Sequence, residues 1–229
     1  MKLLLAFALL LGPAFGMTRG NHTQVTSTAG VSATSSSVNM SSQTFLIVEC
    51  LNRSSTTSAC PAPSDSSSNT WAALTLYGPT AASRAIKIYY VCNPTVSSSQ
   101  TVTIPTNSES LVTYVFVGYT GVGGGSGCFV SGTDSGVDSG GGFTCAPGSV
   151  TPSATGDLLF TGDTEGLTTT IDVGFSTFES TYVADLSAAS TSAVNPTWSH
   201  TAQNNTPCNI AIFKPVTATA KPRPRAVVF

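Results

Sequence analysis

Apolar residues in this chain arrive in short runs separated by turn-forming stretches. Thr44 to Leu51 (TFLIVECL) is an apolar run bounded by polar clusters, as a buried strand would be. Thr70 to Tyr77 (TWAALTLY) reads as the next strand and stops at Gly78-Pro79. Arg84 to Cys92 alternates, with Ile86, Ile88 and Tyr90 on one face and Ala85, Lys87 and Tyr89 on the other. Gln100 to Pro105 is short and ends at proline, whereas Leu111 to Tyr119 (LVTYVFVGY) is almost unbroken β-branched and aromatic sequence. A strand of that kind is expected to be covered on both faces. Gly121 to Gly142 is a glycine-rich excursion with room for one strand around Cys128 to Val130. Gly156 to Thr161, Thr168 to Phe175, Ser180 to Leu186 and Cys208 to Lys214 repeat the strand rhythm, with Thr197 to Ala202 a weaker match. Helical periodicity with caps is not found over any long stretch. The pattern predicts an all-β fold, a two-sheet antiparallel β-sandwich, jelly-roll-like and disulfide-stapled, with about 9–11 strands.

The two ends follow different rules. Residues 1–16 (MKLLLAFALLLGPAFG) carry Lys2, an apolar stretch and small residues at Ala14 and Gly16, which together predict an export signal cleaved before Met17. That stretch is short for a membrane span, which needs about 20 residues, and no later stretch is long and apolar enough. Residues 17–42 are Ser/Thr-rich and read as a linker or an outer edge strand, residues 43–216 as the sandwich, and residues 217–229 (ending KPRPRAVVF) as an extended basic tail. The expected location is secreted, extracellular or at the cell surface, with no membrane span after cleavage.

Composition narrows the function classes. Only 9% of the 229 residues are charged and the formal net charge is -2, against about 25% charged residues in an ordinary soluble protein. No field of either sign draws the chain to nucleic acid. The two histidines exclude a His-rich metal site. Cys50, Cys60, Cys92, Cys128, Cys145 and Cys208 form an even set with no CxxC, which favours disulfides over zinc or redox chemistry. Cys128 and Cys145 bracket the Gly/Ser/Asp-rich segment, and a bond between them would stabilise that loop by about 3 kcal/mol. With that pair assigned, Cys50–Cys60 with Cys92–Cys208 is preferred, and Cys50–Cys208 with Cys60–Cys92 competes.

Candidate chemistry is sparse, and no catalytic residue is assigned. Asp134, Asp138, Asp163 and Glu165 sit beside glycines, where oxygen clusters hold calcium in extracellular sandwiches. Surface turns use Asp beside Gly just as readily, so solvated turn residues are the favoured reading and no cofactor other than calcium is entertained. A glycosidase needs two carboxylates converging on a cleft. Asp163 and Glu165 have the spacing but fall in an expected turn, while Glu179 and Asp185 flank a strand and are expected to point apart. His200 is the one credible base for a serine hydrolase and lacks the G-x-S-x-G context, so a surface or strand role is expected for it. For sugar stacking, Tyr89 is the best exposed candidate, with Tyr119 and Trp198 behind it.

FLIVECL, NTWAALTLYG, IKIYYVCNPT followed by TVTI, VTYVFVGYTGV, GDLLFTG and the closing IAIFKP, in that order from Thr44 to Pro215, resemble a group of secreted bacterial β-sandwich modules of no assigned activity. The resemblance implies a two-sheet sandwich with its first and last strands adjacent, and it brings no catalytic residues. The extra cysteines and the long glycine-rich loop depart from that group. The functional expectation is a non-enzymatic, extracellular or cell-surface sandwich with a structural or adhesive role, self-assembling through edge strands. Carbohydrate binding, with a surface polysaccharide as partner, is the alternative, and a glycoside hydrolase ranks below it.

Overall fold

The computed structural model describes residues 17–53, 59–78, 84–122, 127–138, 142–165, 170–172, 174–179, 182–201 and 206–215. Residues 1–16, expected to be an export signal, the tail 217–229 and the side chain of Asp138 lie outside this description. In chain order the strands are β1 (Thr18–Ser27), β2 (Ala33–Thr34), β3 (Phe45–Asn52), β4 (Ser64–Asp65), β5 (Ala72–Ala73), β6 (Ala85–Cys92), β7 (Val102–Ile104) and β8 (Val112–Thr120). The second half adds β9 (Ser135–Asp138), β10 (Thr144–Cys145), β11 (Leu158–Asp163), β12 (Thr170–Ile171), β13 (Ser176–Phe178), β14 (Val183–Ser187), β15 (Trp198–Ser199) and β16 (Pro207–Phe213). No helix occurs among the described residues, and every ladder is antiparallel.

Two five-stranded sheets form the sandwich, in the orders β1-β8-β3-β6-β5 and β13-β14-β11-β16-β9. Between them lie Phe45, Ile47 and Leu51 from β3, Val115 and Val117 from β8, Phe160 from β11 and Phe213 from β16. The Phe45 and Phe213 rings meet across the layers at 4.7 Å. The opposite face of the first sheet is equally dry. Leu46, Val48, Tyr114 and Phe116 pack under Val102 and Ile104 of a small sheet, β2-β7-β4. The outer face of the second sheet buries Leu159, Ile210 and Ile212 beneath Val150 and Ala188, and a further small sheet, β10-β15-β12, seats Trp198 beside Cys145 and Cys208. Both faces of each large sheet are therefore covered, which is why β3 and β16 are mostly apolar and, with β11, buried at every position.

Three sequence expectations change. The first and last strands of the Thr44 to Pro215 stretch are not neighbours in one sheet, because each large sheet draws its strands from one half of the chain and β3 and β16 lie in different sheets. Thr70 to Tyr77 yields only the two-residue β5 and a bridge from Tyr77 to Ile86. The glycine-rich excursion carries its strand not around Cys128 to Val130, where only a bridge from Phe129 to Phe213 forms, but at β9, the edge of the second sheet against β16.

The disulfides join Cys50 to Cys60, Cys92 to Cys128 and Cys145 to Cys208. Cys50–Cys60 is as expected, whereas the Cys128–Cys145 and Cys92–Cys208 pairings are not formed. The reason is topological. Cys128 lies in the core between the two large sheets, while Cys145 lies on the outer face of the second sheet with Trp198. A bond between them would have to pass through that sheet, so each end of the excursion is stapled to a different neighbour.

Candidate functional site

The three aromatic candidates are interior. Tyr89 is 3% exposed, because the Ala85/Lys87/Tyr89 face of β6 lies under the polypeptide around Cys60, and its hydroxyl donates to the Cys60 carbonyl at 2.6 Å. Burial pushes this phenol up to about 12. Tyr119 is buried between the sheets and donates to Asp185 Oδ2 at 2.8 Å. Trp198 is buried and donates its indole N–H to Thr161 Oγ1 at 3.0 Å. None of the three presents a ring to solvent, so none can stack on a sugar in this arrangement.

The acidic candidates are spoken for by protein groups. Asp134 accepts from the Thr75 backbone N–H at 2.8 Å and the Tyr77 hydroxyl at 3.1 Å, closing one side of the sandwich. Asp163 ends β11 instead of occupying a turn; it is buried and meets His200 Nε2 at 2.9 Å. Glu165 pairs with Arg84 at 2.8 Å. Among the described residues no three His, Cys, Asp or Glu side chains gather as a metal site would require.

His200 is a buried residue, not a surface one, and it stands in a chain of polar groups. Asp163 faces its Nε2, and Thr206 Oγ1 lies 3.3 Å from its Nδ1. Burial disfavours the imidazolium, but the Asp163 hydrogen bond, the Asp163 charge and then the Glu165 charge outweigh it and raise the pKa above 6.5. The order carboxylate, imidazole, hydroxyl is that of an activated nucleophile. Thr206 and Asp163 are fully buried, however, and the group sits beside Trp198 under the outer small sheet. This geometry anchors β15 to β11 and exposes no reacting atom.

A further constellation joining the two large sheets near solvent lies along β1. The strand carries a β-bulge between Arg19 and His22, after which His22 to Ser27 pair regularly with β8. Arg19 donates to Asp185 Oδ1 at 3.2 Å and to the Ser176 carbonyl at 3.1 Å, and its guanidinium lies 4.3 Å over the Phe178 ring. His22 Nδ1 lies 2.5 Å from Glu179 Oε1, and its ring packs against Phe178. Glu179 and Asp185 thus face one seam and do not point apart. Burial raises the Asp185 pKa above 3.8, while the Tyr119 hydroxyl and the Arg19 charge pull it back. Residues 157 and 166 positions apart make these contacts, so no local motif could have announced them.

Glu179 holds a left-handed backbone, φ 48°, a conformation that costs a non-glycine residue about 1 kcal/mol. Glycine would fit the turn better, so the retained carboxylate marks the contact with His22. Glu179→Gly and Glu179→Ala both remove that contact, but only glycine relieves the backbone. The glycine variant should be the more stable by about 1 kcal/mol in urea unfolding. Equal midpoints would show that the turn is not strained.

Neither a family model, nor a curated protein, nor a solved structure matches this chain.

Proposed function

We propose that this chain is an extracellular or cell-surface structural sandwich, exported with cleavage near Met17, which performs no catalysis and assembles with further copies of itself through β1. Three disulfides suit an oxidising, extracellular compartment. No helix among the described residues is long and apolar enough to cross a membrane.

The observation that carries the reading is the shape of the sheet edges. The other large-sheet edges are β5, β13 and β9, of two, three and four residues, whereas β1 has ten. Short edges are a defence against unwanted pairing, as are lysines on the edge. β1 has neither. Its regular stretch from His22 to Ser27 contains no lysine, and its two basic side chains, Arg19 and His22, are turned to the second sheet. Light scattering on the purified mature protein over a wide concentration range should show species of two or more copies. A monomer at every concentration would remove self-assembly from the reading.

A further inference from the structure

We infer that the copies assemble by exchanging β1, each strand leaving its own β8 and completing the sheet of a neighbour. This rests on the proposed self-assembly and specifies its form. Four features of the strand point to exchange.

All three disulfides lie between Cys50 and Cys208, so β1 precedes every cross-link and can leave while the body stays covalently tied. Its attachment is mostly polar: Arg19 to Asp185 and Ser176, His22 to Glu179, and Thr26 Oγ1 to Thr113 Oγ1 at 3.0 Å, with Val25 its one buried apolar side chain. Departure of β1 would leave the edge of β8, buried from Val112 to Tyr119, without a partner, and an unpaired apolar edge of that length demands another strand. The polar groups are complementary between the exchanged part and the body, since β1 brings the Arg19 guanidinium to Asp185 and the His22 ring to Glu179.

The link to β2 is a reversible turn. Val31 N–H donates to the Thr28 carbonyl at 3.1 Å, and Gly30, at φ 75°, donates to the Asn107 carbonyl at 2.8 Å. Straightening Thr28 to Ser32 breaks these bonds and gives a reach of about 17 Å, enough to carry β1 to an adjacent molecule. Contacts remade in the neighbour repeat those lost at home, as in any exchange of identical elements.

Two full-length variants test this, Arg19→Asp and Asp185→Arg. Each alone places like charges at the seam, whether β1 stays at home or is exchanged with an identical copy. Only an exchanged pair with one chain of each kind restores both ion pairs. After equimolar mixing and co-refolding from urea with the disulfides intact, native mass spectrometry should find mixed dimers outnumbering like dimers about tenfold, against the statistical one to one, equivalent to about 1.4 kcal/mol for two restored pairs. If a single variant fails to fold alone, the mixed dimer should still be recovered from co-refolding. The chain carrying both substitutions should unfold at a higher urea concentration than either single variant. Mixed dimers at the statistical one-half would mean that edges pair side by side, which overturns exchange and leaves the proposed function standing. A parent that is always monomeric, together with no mixed species, would overturn both.

Discussion

Replacing Cys145 and Cys208 together by alanine should lower the unfolding free energy by about 4 kcal/mol, more than the loss of either other disulfide. The bond closes 63 residues of chain, against 36 for Cys92–Cys128 and 10 for Cys50–Cys60. The restriction a cross-link places on the unfolded chain grows slowly with that separation, from just under about 3 kcal/mol for the shortest to about 4 for the longest. This bond also has a local task. It ties β10, in the outer small sheet, to β16, in the large sheet beneath, and Trp198 is buried beside it. Loosening that sheet should admit water to the indole, so the double variant should combine a lower urea midpoint with red-shifted tryptophan emission before global unfolding. A midpoint loss smaller than that of the Cys50/Cys60 double variant would refute the ordering.

The long apolar strands are legible in this sequence; the short ones, and what covers each strand, are not. β3, β8 and β16 announce themselves as apolar runs, and the expectation that β8 is buried on both faces holds from Val112 to Tyr119. For β6, alternation correctly separates Ile86, Ile88 and Tyr90 from Ala85, Lys87 and Tyr89, and the structure assigns the two sets to different cores. Periodicity says which side a residue takes; it is silent on whether a further layer lies over that side. The layer over Tyr89 and Tyr114 is assembled from fragments such as Ala33–Thr34 and Ser64–Asp65, too short to carry a pattern. Cysteine spacing fails for the same reason. Cys50–Cys60 is a local return, whereas Cys128 and Cys145 lie on opposite faces of one sheet, a fact of tertiary topology. D-T-E-G is turn chemistry and predicts a turn at Asp163, yet His200 and the Cys208 register hold it as the last residue of β11. Glu49 carries a local signal of its own, a lone acid in the middle of an eight-residue, mostly apolar strand.

Glu49 should make the protein less stable as pH rises, and Glu49→Gln should abolish that contribution. The side chain is fully buried between the large sheets, where Oε1 accepts from Asn209 Nδ2 at 2.8 Å and Oε2 has no protein partner. Burial pushes its pKa well above 4.5; the Asn209 hydrogen bond pulls it down and the charge of Asp134 adds to the rise. Below about 4.5 both the folded and unfolded chains hold the proton. Above that, the unfolded chain releases it while the folded chain keeps it, so the unfolded state gains by about 1.4 kcal/mol per pH unit until the raised folded value is passed. Glutamine keeps the acceptor for Asn209 and cannot ionise. Asp185 and His200, whose folded values are also raised, tilt stability in the same direction but do so in both proteins and cancel in the difference. The gap in unfolding free energy between Glu49→Gln and the parent should therefore shift steadily in favour of glutamine between pH 4 and pH 8, read from urea titrations. A gap that stays constant across that range would show that the carboxyl ionises inside the sandwich as freely as in water. The site is also sterically exacting. A Cβ on Gly162 would lie 2.9 Å from Glu49 Cδ and 3.0 Å from Ile86 Cδ1, so the acid fits between the sheets because the strand opposite presents a bare backbone there.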